Sequence, residues 1–292
     1  MERFNRLFII EIRCEVRREL TPFLFLGNIM DKINELNDEI LYKVEIDWDS
    51  CGDYTSKSRI STYTFCPLQY KKKYVDGIRD TSFNYAMTVG SRFHEFADNF
   101  FDFAPIYPKD KWEDFIHSDF NDNERISLSW FINQERERLE LFDGDMDLWM
   151  PIVRECKIVD PLHKLRGIVD RVDKINDLYI IVEYKTSKSI YKPSLQREFG
   201  FYKILLQADP RFKGKKFLGC VINPRLKQIE FMNPSRESTV EKMIFNLRES
   251  VANGIYIPTC SGAKFAMCGL CTSCEEANLY QEYKNLGNMH GI

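Results

Sequence analysis

Residues 165–186 read LRGIVDRVDKINDLYIIVEYKT, and this stretch decides the fold. Residues 165–173 and 178–184 are two segments with the length of strands, and residues 179–182 of the second are all apolar or aromatic. The pair Asn176-Asp177 between them is typical of a tight turn. The stretch therefore predicts a β-hairpin, and its second strand, which is apolar without interruption, is expected in the middle of a sheet.

Charged residues stand where the second strand ends. Strand side chains alternate, so Glu183 and Lys185 should point to one face of the sheet and Tyr184 to the other. If the hairpin pairs as predicted, Asp170 comes close to Glu183, and two such carboxylates need a cation between them. A hard divalent ion, Mg²⁺ or Mn²⁺, fits that need, and Lys185 could orient or deprotonate a metal-bound water or neutralise a phosphate. The alternative is a polar hairpin with surface ion pairs, but buried central strands seldom end in charges.

Patterns on either side of the hairpin predict helices that cover the sheet. Apolar residues repeat at helical spacing from residue 90 onward, within 194–208 and within 236–252. Residues 217–222 and 228–232 read as two more strands. The resulting order predicts an α/β fold with a mixed central sheet flanked by helices.

The chain is expected to contain one main domain, residues 56–292, after an extension, residues 1–55, in which no motif stands out. Residues 104–150, rich in Asp, Glu, Trp and Phe, predict a helical insertion in that domain. Ser61 is a candidate N-cap for a short helix, and the tail at about 255–280 contains a cysteine cluster.

Composition narrows the classes of function. The 41 basic and 44 acidic residues give a net charge of -3, so no global positive field indicates nucleic acid, although a local basic groove remains compatible. Residues 71–73 and 211–216 are two basic patches. Each could bind single-stranded nucleic acid, but each is equally typical of a charged loop exposed to solvent. No apolar stretch has the length of a membrane span. Nine cysteines, an odd number, without a secretory signal predict a reducing compartment, the cytoplasm.

Three of the cysteines, Cys268, Cys271 and Cys274, form a C-x2-C-x2-C run. Thiolates at this spacing can wrap one metal centre, an iron–sulfur cluster or a structural zinc, and either needs a fourth ligand. Three free thiols in a loop are the alternative, although such dense clustering is rare by chance. Cys260 is close enough in sequence to replace one ligand.

His94 is one of four histidines and lies beside the apolar stripe of the helix predicted from residue 90. A lone histidine on an apolar helix is more often a packed core residue. As a ligand to the same metal, its nitrogen would favour Mn²⁺ somewhat over Mg²⁺.

Several short segments together point to a family. They are SRIS and FCPLQY at 58–61 and 65–70, GSRFHE at 90–95, GIVDRVD at 167–173 and VEYKT at 182–186. With the terminal cysteine cluster they resemble the RecB-like PD-(D/E)xK nucleases, especially the Cas4- and AddB-type members that carry an iron–sulfur cluster.

The resemblance implies a restriction-endonuclease-like fold and hydrolysis of DNA phosphodiester bonds with a divalent metal. It implies that His94, Asp170, Glu183 and the backbone carbonyl of Tyr184 hold the metal and that Lys185 is catalytic.

The resemblance also implies a [4Fe–4S] cluster in the tail region. Its ligands would be Cys66, upstream, with Cys268, Cys271 and Cys274. Zinc is the less favoured occupant.

One motif departs from the family pattern. The family usually has glutamine four residues before Tyr202, where this chain has Glu198, and Gln196 lies two residues earlier. Either Gln196 takes that role or Glu198 contacts the site, and Tyr202 is equally compatible with a core position. Arg59, in the opening motif, is a weaker candidate for positioning substrate. Glu155 corresponds to a further acidic position of the family, although a surface glutamate is the commoner explanation.

We therefore expect a metal-dependent DNA nuclease, an exonuclease on single-stranded or end-bearing DNA. One alternative is a non-cutting DNA-end-binding iron–sulfur subunit of a repair, recombination or CRISPR-adaptation complex. The others are an endonuclease of the same fold and a zinc-stapled interaction module. The intact Asp170, Glu183 and Lys185 favour the enzyme.

Overall fold

The computed structural model describes Trp48, residues 50–78 and residues 85–259. Every described residue belongs to one compact unit, which begins at Trp48.

Within the described residues, one sheet of five strands organises the fold. The strands, in sheet order, are β1 (Val153–Asp160), β2 (Leu165–Ile175), β3 (Leu178–Tyr184), β4 (Lys216–Asn223) and β5 (Gln228–Met232). Neighbours are antiparallel except β3 and β4, which are parallel. The prediction of a mixed central sheet flanked by helices is confirmed.

Helices precede the sheet and connect its strands. They are α1 (Lys57–Phe65), α2 (Pro67–Tyr70) with a following π-helical turn (Lys71–Val75), α3 (Tyr85–Phe103), α4 (Asp122–Leu141), α5 (Met146–Trp149), α6 (Lys192–Gln207) and α7 (Glu237–Asn253). Two 3₁₀ turns cover Lys109–Phe115 and Pro210–Phe212. No helix among the described residues is long and apolar enough to cross a membrane.

The hairpin predicted from residues 165–186 is present. Ile175 pairs with Leu178, and Asn176 takes a left-handed conformation, φ 54°, in the two-residue turn between them. The pairing register sets Arg171 opposite Val182, which leaves Asp170 facing Glu183 across the two strands. The predicted approach of the two carboxylates therefore follows from the register.

Two helices begin earlier than predicted, and one strand was missed. The N-cap of α1 is Ser56, whose side chain accepts a hydrogen bond from the Arg59 backbone N–H, so the helix begins before Ser61. The helix expected from residue 90 already includes Tyr85. The strand β1 was missed because its polar sequence, VRECKIVD, lacks a clear apolar alternation.

Each face of the sheet has its own core. Alternate residues of β3 serve the two cores, Ile181 on one side and Ile180 and Val182 on the other. The first core contains apolar residues of α6 and α7, and the second contains the phenylalanines of α3 and residues of α4. The sheet is therefore buried on both faces, as its apolar central strand predicts.

Helix α6 can lie close to the sheet because the strand residues that face it include Gly167 and Gly219, which have no side chain. A Cβ at Gly219 would lie 2.3 Å from Phe199 Cδ2, and one at Gly167 would lie 2.8 Å from Leu205 Cδ2. This close approach holds the α6 residues Glu198 and Tyr202 near the end of β3.

Candidate active site

A cavity of about 700 Å³ opens at the carboxyl end of β3. Its wall is formed by side chains of α1, α3, β1, β2, β3 and α6. The wall includes side chains that can carry a charge or bind a metal ion, among them Lys57, His94, Glu155, Asp170, Glu183, Lys185 and Tyr202. Side chains from six separate elements thus meet in one concave site.

His94, Glu155 and Asp170 form a cluster that could hold a metal ion. One ligand atom from each lies within 4.8 Å of the others. His94 Nδ1 is 3.5 Å from Glu155 Oε1 and 3.6 Å from Asp170 Oδ2. Glu155 lies within β1, the strand that was not predicted from the sequence, and the register sets it opposite Asp170. Its φ of 41° is a strained conformation for a strand residue, and such strain is typical of functional positions.

Two carboxylate oxygens in the cavity lack ordinary partners. Glu155 Oε1 and Glu183 Oε2 are buried and make no hydrogen bond of normal geometry. An unsatisfied buried carboxylate oxygen is costly. Oxygen donors beside an imidazole nitrogen suit a divalent cation, so the residues present fit such a metal.

Glu183 also anchors two lysines. Its Oε1 accepts hydrogen bonds from Lys185 Nζ at 2.6 Å and from Lys57 Nζ at 2.7 Å. Lys185 Nζ lies 3.0 Å from Glu198 Oε2 as well. Lys57 was not singled out from the sequence, because it is 126 residues from Glu183 and belongs to no charge pattern of its own.

The two facing carboxyl groups titrate in opposite directions. Burial raises the pKa of Asp170, and the charge of Glu183 raises it further, while His94 and Lys57 offset part of this rise. Burial also favours the protonated form of Glu183, but Lys57 and Lys185 outweigh it and lower the pKa of Glu183. Without a metal, Glu183 is therefore the anion, and Asp170 is the group that takes a proton first.

Tyr184 connects the site with the second core. Its backbone N–H donates to Asp170 Oδ2 at 2.9 Å, which orients that carboxylate. Its ring packs against Phe93 on the other face of the sheet, as the alternation of strand side chains predicts.

The weaker sequence candidates separate into two groups. Tyr202 is buried in the core and also lines the cavity, and Glu198 contacts Lys185. Gln196 is not among the described residues that line the cavity, and its backbone carbonyl accepts from the Ser235 N–H. Arg59 donates to the Gly52 carbonyl and to the Tyr70 hydroxyl.

The two basic patches differ in place. Lys216 of β4 pairs with Leu178, whereas Ile222 pairs with Tyr184, so residues 211–216 lie at the other end of β3 from the cavity, about 20 Å away at the strand rise. Residues 71–73 lie on the π-helical turn after α2. Neither patch belongs to the cavity wall.

Cys66 is buried at the junction of α1 and α2. Thr259 Oγ1 donates to the Phe65 carbonyl at 2.7 Å, so the last described residue lies beside Cys66. Cys260 is the next residue along the chain. The predicted ligands Cys268, Cys271 and Cys274, and Cys260 itself, lie outside the described residues.

Comparison with known proteins identifies a family. Residues 54–278 match the family model described as the PD-(D/E)XK nuclease superfamily, and this stretch contains the lysines, carboxylates and histidine of the cavity. No curated protein matches the chain at a significant level. A solved structure described as "Crystal structure of SSO0001" aligns at 15% identity and a TM-score of 0.31, over 58% of this chain and 80% of that one. This similarity is too low to infer a fold or a function.

Proposed function

The chain belongs to the PD-(D/E)XK nuclease superfamily, and from this premise we propose that its cavity is the active site of a DNA exonuclease acting on single-stranded or end-bearing DNA. Membership implies a metal-dependent nuclease with DNA as its substrate. One observation carries the assignment of the site: the Lys185–Glu183 pair adjoins the cluster of His94, Glu155 and Asp170 in one cavity. The exonuclease preference rests on the resemblance to the Cas4- and AddB-type members.

The proposed metal ligands are His94, Asp170, Glu183 and the Tyr184 carbonyl, to which the geometry adds Glu155. The unpartnered oxygens of Glu155 and Glu183 support this set. A divalent ion bound there would supply Lewis-acid catalysis of phosphodiester hydrolysis. The imidazole nitrogen of His94 favours Mn²⁺ over Mg²⁺.

Lys185 supplies a positive charge at a defined position. Glu183 Oε1 and Glu198 Oε2 hold its ammonium group from two sides, at 2.6 Å and 3.0 Å. Burial lowers the pKa of Lys185, but Glu183 outweighs it and raises the pKa, so the group stays protonated. A preorganised cation in a partly dry site stabilises negative charge that develops on a phosphate.

The assay that tests this function is digestion of end-labelled linear and circular single-stranded DNA with Mn²⁺, on anaerobically purified protein. We expect loss of the linear DNA only, with the label giving the polarity. Cutting of circles would instead make the protein an endonuclease. A folded protein that binds DNA ends and cuts neither form would support the non-cutting subunit.

Asp170→Ala is expected to abolish stabilisation by Mn²⁺, because the variant loses a central ligand. A ligand at a hundred times its dissociation constant stabilises the native state by about 2.7 kcal/mol, which thermal melting detects. Asp119→Ala, at an exposed carboxylate outside the cavity, is the control and should keep the wild-type shift. An unchanged Mn²⁺ shift in Asp170→Ala would remove Asp170 from the ligand set.

We further propose a [4Fe–4S] cluster on Cys66, Cys268, Cys271 and Cys274. Two observations support it. The Thr259–Phe65 hydrogen bond brings the start of the tail beside Cys66, and the family match extends to residue 278. The cluster would join the tail to the α1–α2 junction.

Cys268→Ser should lose iron and the brown colour, and should lower the melting temperature of the whole domain, because a structural metal centre contributes directly to folding. Cys156→Ser, at a half-buried free cysteine, is the matched control and should retain the iron. If metal analysis of the wild type finds zinc and no iron, the site is a zinc site and not an iron–sulfur cluster. A stable, iron-containing Cys268→Ser protein would contradict the ligand assignment.

A further inference from the structure

Lys57 is a second lysine at the candidate active site, and the function proposed above assigns it no role. It is the first residue of α1, directly after the Ser56 N-cap. Its Nζ donates to Glu183 Oε1 at 2.7 Å and lies 3.7 Å from Glu198 Oε2. The ammonium group also lies 5.0 Å from the centre of the Tyr202 ring, within the range of a cation–π contact. Side chains of β3 and α6 therefore hold the ammonium group that α1 supplies.

Glu198 is not among the described residues that line the cavity, and its side chain is 14% exposed. It faces two ammonium groups, Lys185 at 3.0 Å and Lys57 at 3.7 Å, yet Oε2 makes no hydrogen bond of normal geometry. Glu183 and Glu198 are thus matched by two lysines, and the four side chains sum to zero charge. With one lysine, two carboxylate side chains that are 2% and 14% exposed would share a single counter-charge, which is costly for buried groups.

We infer that Lys57 is a positioning residue, which balances Glu198 and thereby keeps Lys185 aimed into the cavity. In this arrangement Lys57 and Lys185 share Glu183 Oε1, so that oxygen does not bind Lys185 alone. If Lys57 is removed, Glu183 and Glu198 both depend on Lys185, and their excess negative charge draws its ammonium group toward α6. The inference rests on the proposed function, because it presumes that Lys185 is catalytic.

This role predicts a specific relation between two substitutions. Lys57→Met alone leaves a surplus negative charge, and Glu198→Gln alone leaves a surplus positive charge. Lys57→Met with Glu198→Gln removes both charges and restores the balance with a neutral amide beside Lys185. The two effects should therefore be strongly non-additive, as they are for residues of one charge network.

The experiment is a double-mutant cycle on kcat and KM, measured with Mn²⁺ on linear single-stranded DNA. We expect Lys57→Met to lower kcat by about a hundredfold with KM changed by less than about threefold, since misplacing a catalytic group by about 1 Å can have this effect. The double variant should recover kcat to within about tenfold of wild type, and Lys57→Arg should lose less than Lys57→Met. The matched control is the same cycle on Lys203 and Glu237, which form a 3.0 Å ion pair between α6 and α7, outside the cavity wall.

A second readout does not depend on turnover. DNA binding by fluorescence anisotropy in EDTA should differ by less than about twofold between wild type and Lys57→Met, because a positioning residue does not bind the phosphate itself. A large loss of metal-free DNA affinity with kcat unchanged would make Lys57 a phosphate-binding residue and overturn the inference.

The outcomes separate the inference from the function beneath it. Active wild type with additive losses in the cycle would overturn the role of Lys57 and leave the proposed function standing. An inactive wild type would reject the proposed function, and the role of Lys57 with it. Rescue in the double variant, with kcat close to wild type throughout the Lys203–Glu237 control cycle, would establish the balanced pair.

Discussion

Lys185→Ala is expected to lower kcat for DNA cleavage by about a thousandfold or more while folding and DNA binding persist. Its ammonium group is held by Glu183 and Glu198 at the cavity wall, so it is ordered before substrate arrives. Removal of one preorganised electrostatic contact to a transition state lowers kcat by about 10² to 10³, and loss of a full positive charge should cost at least as much. The Lys185 side chain is 28% exposed, and Lys57 still pairs with Glu183 after its truncation, so the domain should stay folded.

The measurement compares wild type and variant on end-labelled single-stranded DNA with saturating Mn²⁺. Lys188→Ala is the matched control, because Lys188 is an exposed lysine in the loop after β3 and should be dispensable. Circular dichroism and DNA-binding titrations establish that the variant is folded and competent to bind. Activity of Lys185→Ala within about tenfold of wild type would move the catalytic assignment elsewhere.

Arg171→Ala is expected to destabilise the domain by about 3–5 kcal/mol, because it removes the fully buried partner of Asp173 and Glu135, and these two buried carboxylates then share Arg138 alone. The guanidinium group is 1% exposed. It donates two hydrogen bonds to Asp173, at 2.7 Å and 2.6 Å, and one to Glu135 of α4 at 2.7 Å. It also donates to the Tyr184 hydroxyl at 3.2 Å. Arg171, the residue after Asp170 on β2, therefore connects α4 to the sheet.

Urea unfolding of wild type and variant measures this loss. Arg136→Ala is the comparison, because Arg136 forms a partly exposed ion pair with Glu113 and should change the free energy of unfolding by less than about 1 kcal/mol. Equal losses in the two variants would show that the buried network contributes no more than a surface pair.

Much of the fold could be predicted from local patterns. Two strand-length segments and the Asn176-Asp177 turn specify the hairpin, and the helical spacing of apolar residues specifies α6 and α7. Strand β1 could not be predicted, because its residues are largely polar and half-buried and show no clear alternation of apolar and polar residues.

The candidate site shows the same division between local and long-range information. Glu183 and Lys185 are two residues apart on one strand, and Asp170 faces them through a tight turn, so their proximity follows from strand geometry. His94 and Glu155 are far apart in sequence, and their meeting depends on how α3 and β1 pack against β2.

The sequence by itself determined the β-hairpin, the mixed sheet and the family, because these depend on short-range periodicity and on motifs in a fixed order. Only the tertiary structure decided that Lys57 binds Glu183, that Glu198 rather than Gln196 contacts Lys185, and that Thr259 lies beside Cys66. The physical reason is that an ion pair or hydrogen bond between distant segments needs only complementary groups at one point in space. Such a contact imposes no repeating pattern on either segment, so it cannot be predicted from the local sequence.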